Sequence, residues 1–392
     1  MTEAYIVAAT RTAGGRRGGK LSGWHPADMA GAVLDDLLWR VDADPDQIED
    51  VIMGCVYQLG EQASNIARNA VLASSLPDTV PGTSIDRQCG SSQQALHFAA
   101  QAVKSDAMDI VIAAGVESMS RVPIGLSMTL PQKHGFGYYI SPKMEQRYPG
   151  VIFNQFTGGE LMAEKYGLDR ETLDAFAYNS HLRAVHATEQ DLFKDEILPL
   201  SVLSPEGTET GVMHDRDEGI RYDADLEAMS CMEPLAEGGR LTAATASQIC
   251  DGASGLMVVN ARGLKALGVE PLARIHQMTV VGSDPVIMLE GPIPGTEKAL
   301  ARAGMSIDDI DLFEVNEAFA SIPVGWLQAT GADPERLNTR GGAIALGHPL
   351  GSSGTKLMTT LVHALRQENK RYGLQAICEG GGLANVTIVE RL

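Results

Sequence analysis

Short apolar runs alternate with helix-periodic segments at both ends of this 392-residue chain, and that rhythm restricts the fold more than any other feature. Residues 5–9 and 51–55 read as buried strands, and 83–86 as a short strand leading to Cys89. Residues 26–39, 65–73 and 91–104 read as helices, the last with Ala95, Phe98, Ala99 and Ala102 at helical spacing. An apolar strand follows at 109–114. Strands this uniformly apolar need cover on both faces, which predicts an α/β protein with buried sheets.

The rhythm stops near Met119 and resumes after Ala243. The stretch between is aromatic, punctuated by proline and charged, with two expected helices at 159–166 and 170–189, so it reads as an insertion. Further strands are expected at 255–260, 274–281, 312–315 and 375–378. Gly90-Ser-Ser before a helix and the strand IVIAAG is echoed by Gly351-Ser-Ser before a helix and QAICEG, which suggests two halves on one plan.

Fifty acidic against 31 basic residues leave a formal charge of −19, which argues against nucleic acid or an anionic membrane surface as the main partner. Anionic ligands can still find local positive spots. Five scattered cysteines (Cys55, Cys89, Cys231, Cys250, Cys378) argue against a secreted disulfide framework and for a reducing cytosol. No leader peptide is read at the N-terminus, and no apolar run approaches the roughly 20 residues of a membrane span.

Cys89 falls where a strand is expected to turn into a helix. A helix N-terminus favours a thiolate and predicts a pKa below the ordinary cysteine value of about 8.5. A buried structural cysteine is the plainer alternative, but Gly90 and two serines beside it would let substrate approach backbone amides. His348, among nine histidines, stands in the tightly constrained GGAIALGHPLGSSG, a setting that aims a side chain. Cys378 opens CEGGGLAN, where Gly380 would bring a backbone amide near a ligand. No C-x-x-C spacing and no nearby second histidine support zinc or a redox pair. Asn316 follows a strand at an expected helix start, either as a cap or as a group holding a water or carbonyl oxygen. Gly14 to Lys20 satisfies G-x-x-x-x-G-K but continues with Leu21 instead of Ser or Thr, so it reads as a flexible basic loop and not a nucleotide cradle.

QCGSSQQA around Cys89, NEAFA at 316–320, GHPLGSSGT at 347–355 and CEGGG at 378–382 together resemble the thiolase family, over nearly the whole chain. The resemblance implies a five-layer αβαβα core of two similar halves, with residues 1–118 and 244–270 as the first half, 119–243 as an inserted loop domain, and 271–392 as the second half. It implies acyl transfer between a 3-ketoacyl-CoA and CoA, by thiolytic cleavage or reverse Claisen condensation. By the same resemblance Cys89 is the acylated nucleophile and His348 its base. Cys378 is the acid/base at the α-carbon of acetyl-CoA. Asn316 holds a water, and Gly380 shares an oxyanion hole with the Cys89 amide.

Arg221 and Ser247 would touch CoA, with Met288 and Phe319 lining the pantetheine channel; a solvated arginine and an ordinary loop serine are the plainer readings of the first two. CoA is expected as a substrate, with no permanent cofactor and no metal. The expected assembly is a cytoplasmic homodimer or homotetramer. Asn154 to Glu160 reads NQFTGGE where short-chain acetoacetyl-CoA thiolases carry His-Met-Gly, which points to a degradative enzyme for longer or bulkier acyl chains. A decarboxylating ketosynthase would need a histidine in place of Cys378, and an idle acyl-CoA-binding relative would need a lost catalytic residue; neither departure is present.

Overall fold

The computed structural model describes residues 2–392. Nine strands carry the core: β1 (Tyr5–Thr12), β2 (Asp50–Gly54), β3 (Gly82–Ile85), β4 (Ile110–Ser118), β5 (Cys250–Val259), β6 (Ala273–Gly282), β7 (Leu312–Val315), β8 (Tyr372–Glu379) and β9 (Leu383–Glu390). They hydrogen-bond in the order β7-β8-β9-β6-β1-β5-β4-β2-β3. The β1-β5-β4-β2-β3 half and the β7-β8-β9-β6 half are joined edge to edge by the short β1–β6 ladder, where Tyr5 pairs with Arg274 and Ile6 with Ala273. β9 and the full length of β8 lie beyond the strands read from sequence.

The layers follow from which residues each strand turns to which side. In β4, Ile110, Ile112, Ala114 and Val116 join an outer core with Met29, Val33, Leu34 and Leu37 of α1 (Pro26–Arg40). The alternate residues Val111 and Ala113 face a central core. That central layer holds two helices, α2 (Ser91–Lys104) and α7 (Ser353–Gln367), through Leu96, Ala99 and Val103 on one and Met358, Leu361 and Leu365 on the other. The other outer layer packs α5 (Pro292–Ala303) and α6 (Ser321–Thr330) on the second half, with Trp326 edge-on to Phe313 at 5.2 Å. The result is helix, sheet, helix pair, sheet, helix. The two central helices start in contact: a methyl on Gly354 would strike the Gln93 backbone, and Thr355 N–H donates to Ser92 Oγ at 2.9 Å.

Between Ser118 and Cys250 the chain leaves these layers. Helices α3 (Gln155–Lys165) and α4 (Arg170–Glu189) lie there, α4 with the bounds its periodicity predicts and α3 starting four residues earlier than expected. Asn154 explains the early start, because its Oδ1 accepts from Phe156 N–H at 2.8 Å and caps the helix. The stretch also holds three short helices and the hairpin Leu200–Leu203/Glu209–His214, which sequence periodicity does not resolve. Ile197–Leu198 returns to pair with Arg11 and Thr12 of β1. The glycine-rich loop after β1 is not free either, since Glu218 accepts from Arg16 and Lys20 N–H groups. Among the described residues no helix is long and apolar enough to cross a membrane.

Candidate active site

Cys89 sits on a tight turn between β3 and α2. Gln88 before it holds φ +50, and Ser91 Oγ closes the turn by accepting from Arg87 N–H at 2.9 Å and donating to Gln88 O at 2.6 Å. The thiol is 9% exposed. Burial pushes its pKa up to about 12, with the nearby Glu379 adding to the rise, while N–H groups of Gly380 and of Cys89 itself pull it down. The helix-terminus expectation of a lowered value is therefore overturned: desolvation of the thiolate outweighs the amides. Cys89 rests as a thiol and needs a base.

Cys378 is the penultimate residue of β8, fully buried, and its thiol is raised well above the ordinary value by burial and then by Cys89 and Glu379. Gly380, two residues on, aims its amide at the Cys89 sulfur. The two cysteines and this amide thus share one neighbourhood.

His348 is 4% exposed. Its Nδ1 lies 2.5 Å from Ser353 Oγ, and Ser353 Oγ already donates to Pro349 O at 2.9 Å. The hydroxyl has one proton, so it must accept from His348 Nδ1–H, and hydrogen-bond accounting assigns the lone pair to Nε2. Asn316 Nδ2 approaches that nitrogen at 3.4 Å. Burial, helped by the Lys356 charge, holds the imidazole pKa down at about 3, so His348 is a neutral acceptor at Nε2.

Asn316 is not a helix cap, because α6 begins at Ser321 with Ala320 before it. Its N–H donates to Ala376 O at 3.0 Å, and its buried Oδ1 has no protein partner. The second pair reaches the cysteines through its chain neighbours. Leu350 beside the His348 loop packs in one apolar cluster with Cys89 and with Ile377, the residue before Cys378.

Residues expected to meet CoA divide into two groups. Gly158 and Gly159 on α3 let it close against Met288 and Phe319, and Phe156 stands edge-on to Phe319 at 5.4 Å. Met288 is held at φ +59. Ser247 joins this group through its N–H, which donates to Ala318 O at 3.0 Å, and Asn154 caps the same helix at the exposed rim. Arg221 stands apart, exposed, with its N–H donating to His181 Nδ1 at 3.1 Å.

Several working residues were not singled out from sequence. Ser353 lies within the repeated Gly-Ser-Ser that marked the two halves, and that repeat was the available signal. Gln248 has none: its Nε2 donates to Gly219 O and Ile344 O at 2.7 and 2.8 Å while its main-chain carbonyl accepts from His348 N–H at 3.2 Å. Glu317, the second residue of the NEAFA motif, gathers Ser180, Asn338 and the Ile344 amide around one buried carboxylate.

The description "Thiolase, N-terminal domain" matches residues 4–262, and "Thiolase, C-terminal domain" matches 269–391. The chain belongs to the thiolase family. A steroid 3-ketoacyl-CoA thiolase of Mycobacterium tuberculosis is 49% identical over 397 residues, covering 100% of this chain and 95% of that protein. The 3-ketoacyl-CoA thiolase of Idiomarina loihiensis is 39% identical over 399 residues, with both chains fully covered. The crystal structure of the Bacillus anthracis acetyl-CoA acetyltransferase superposes with a TM-score of 0.91 at 32% identity, over 100% of this chain and 99% of that one. This thiolase is accordingly an acyltransferase with the five-layer fold expected from its sequence.

Proposed function

We propose that the chain is a degradative 3-ketoacyl-CoA thiolase for bulky, ring-bearing acyl groups, working through a Cys89 thioester. The observation that carries the chemistry is the fixed tautomer of His348, which leaves Nε2 unprotonated on a buried ring. Nε2 takes the Cys89 proton as sulfur attacks the 3-keto carbon. The resulting oxyanion is received by the Cys89 and Gly380 amides. Collapse breaks the C2–C3 bond and leaves the acyl group on sulfur. The departing acetyl-CoA enolate is stabilised by His348 Nε2–H and a water on Asn316, and the Cys378 thiol protonates its C2. CoA thiol then gives its proton to the Cys378 thiolate and attacks the thioester, and His348 Nε2–H returns its proton to the departing Cys89 thiolate as the shortened acyl-CoA leaves.

Support for a bulky acyl group comes from the steroid-named relative and from α3. NQFTGGE fills the place of a His-Met-Gly stretch, and a cleft of about 530 Å³ opens beside Asn154, Phe156, Thr157 and Leu161, closed on its far side by residues 235–241. Met288, Phe319, Ser247 and Arg221 would hold CoA. We place the loop domain at 119–243, between the halves 1–118 with 244–270 and 271–392, and expect a cytoplasmic homodimer or homotetramer.

CoA-dependent loss of 3-ketoacyl-CoA enolate absorbance, across a panel from acetoacetyl-CoA to ring-bearing acyl chains, tests the reading. Activity should rise with acyl bulk. Activity confined to acetoacetyl-CoA would favour the second reading, a biosynthetic acetoacetyl-CoA thiolase, which the superposition on an acetyl-CoA acetyltransferase supports.

A further inference from the structure

The His348 loop is gripped by a buried cation that the chemistry above does not use. Lys356 lies at the start of α7 and is 4% exposed. Its Nζ donates to Leu346 O at 2.5 Å and Gly347 O at 3.1 Å, the two carbonyls before His348. Helix α7 therefore holds this loop twice, by Ser353 on the ring and by Lys356 on the main chain. The loop has little slack, since Gly347 adopts φ +81 and a methyl there would lie 2.5 Å from Cys250 Sγ.

The ammonium is fixed in turn by charges from three other segments. Nζ is 3.9 Å from Asp217 Oδ1. The Asp217 carboxylate accepts from Arg11 at 2.9 and 3.1 Å and from Gly14 N–H at 2.7 Å, and Arg11 Nε donates to Glu196 at 2.7 Å. Arg11, Glu196 and Asp217 have no exposed side-chain surface. Two cations and two carboxylates balance, which is the condition under which buried charge is tolerated. The remaining titratable group facing Lys356 is the Cys250 thiol on β5. Burial draws the lysine pKa down, and Cys250 and Asp217 push it back.

A fixed positive charge facing an imidazole disfavours a second one, and it also makes the imidazolium N–H a stronger donor once formed. We propose that Lys356 is a positioning residue for acyl transfer, pinning the His348 loop through its carbonyls and repelling a resting proton from the ring so that Nε2 meets Cys89 unprotonated. This rests on the reading of His348 as the base for Cys89.

The test compares Lys356→Met, which removes the charge, with Lys356→Arg, which keeps it, and His348→Ala. The readout is the pH dependence of iodoacetamide alkylation at Cys89, followed by peptide mass, beside thiolysis kinetics. In the unmodified enzyme the acid limb should lie well below the ordinary histidine value of about 6.5. Lys356→Met should raise that limb by at least about half a pH unit. The same variant should lower kcat roughly tenfold with little change in KM, as for a misaimed base. Lys356→Arg should restore the limb. His348→Ala should lose it. A limb that persists in His348→Ala removes the base and with it the Lys356 proposal. A limb lost in His348→Ala but unmoved in Lys356→Met removes the Lys356 role alone. Should Lys356→Met not fold, Lys356→Met with Asp217→Asn removes one charge of each sign and carries the same comparison.

Discussion

The two Gly-Ser-Ser turns at the centre of the molecule have the same local sequence and different work. In the first half Cys89 precedes Gly90, and α2 starts at once. In the second half Leu350 takes the corresponding place, a 3₁₀ turn covers Leu350–Ser352, and the chemistry moves back to His348. Ser92 Oγ accepts from Thr355 N–H and ties the two helices together, whereas its counterpart Ser353 orients the imidazole.

Each turn also rests on a buried glutamate from the opposite half. Glu117 of β4 backs Gly351, and Glu379 of β8 backs Gly90 so closely that a methyl on that glycine would collide with its carboxyl. Glu117 accepts from Val56, Tyr57 and Gly351 N–H groups and from Gln62 Nε2, all between 2.8 and 3.1 Å. Glu379 has no hydrogen-bond partner on either oxygen, and burial raises it well above the ordinary carboxyl value. The turn beside the imidazole is backed by a fully bonded glutamate, and the turn at Cys89 by one with neither oxygen partnered; burial raises both above the ordinary carboxyl value, Glu379 well above. An ionised carboxylate there would oppose formation of the Cys89 thiolate.

The sharpest break of this comparison is at the turn residue itself. Cys89→Ser should lower turnover by more than roughly a thousandfold while CoA binding stays near normal. Turnover retained in that variant would place the nucleophile elsewhere. Cys378→Ala should still become acylated, seen as an added acyl mass on the intact protein, yet fail to make or break the carbon–carbon bond. Loss of the acyl adduct would merge two roles that the proposed reaction keeps apart.

The glutamates should differ in stability. Glu117→Gln sets a donor amide against N–H groups that need acceptors, and should cost about 1–3 kcal/mol in denaturant unfolding. Glu379→Gln replaces a carboxyl with no hydrogen-bond partner and should cost less than about 1 kcal/mol. Equal losses would erase the asymmetry.

A pH-dependent difference lies deeper in the helices. Seven residues past each turn glycine, α2 has His97 where α7 has Met358. Burial holds His97 neutral, down to about 3, against Thr387 Oγ1 at 2.7 Å. Below pH 6.5 the unfolded chain takes up a proton that the folded chain refuses, so stability present at neutral pH is lost as pH falls toward 3. The slope is about 1.4 kcal/mol per pH unit for one such group, and His97→Gln should remove one group's share of it in unfolding midpoints measured across this range.

Much of this was legible from residues alone because the information is local. Full burial of β4 demanded uniformly apolar side chains, and that pattern announces a covered strand wherever it occurs. Cys89, His348, Asn316 and Cys378 stand in short motifs whose glycines serve the backbone geometry around them. Met288 and Phe319 both lie against the glycines of α3. Arg221, in contrast, shows no such gathering. The protonation of Cys89 could not be read this way, because helix position is local but desolvation depends on what the other half of the chain brings over it.

Periodicity and motif spacing are properties of neighbours along the chain, and they carried the layered α/β architecture, the family and the choice of Cys89, His348, Asn316 and Cys378 as candidates. Only the tertiary structure decided which nitrogen of His348 is free, that Cys89 rests as a thiol, and that Lys356, Asp217 and Arg11 share one charge cluster. Those depend on contacts between residues as far apart as 11 and 356, where the energy of burying a charge or sharing one proton is set by distance in space and not by order in the chain.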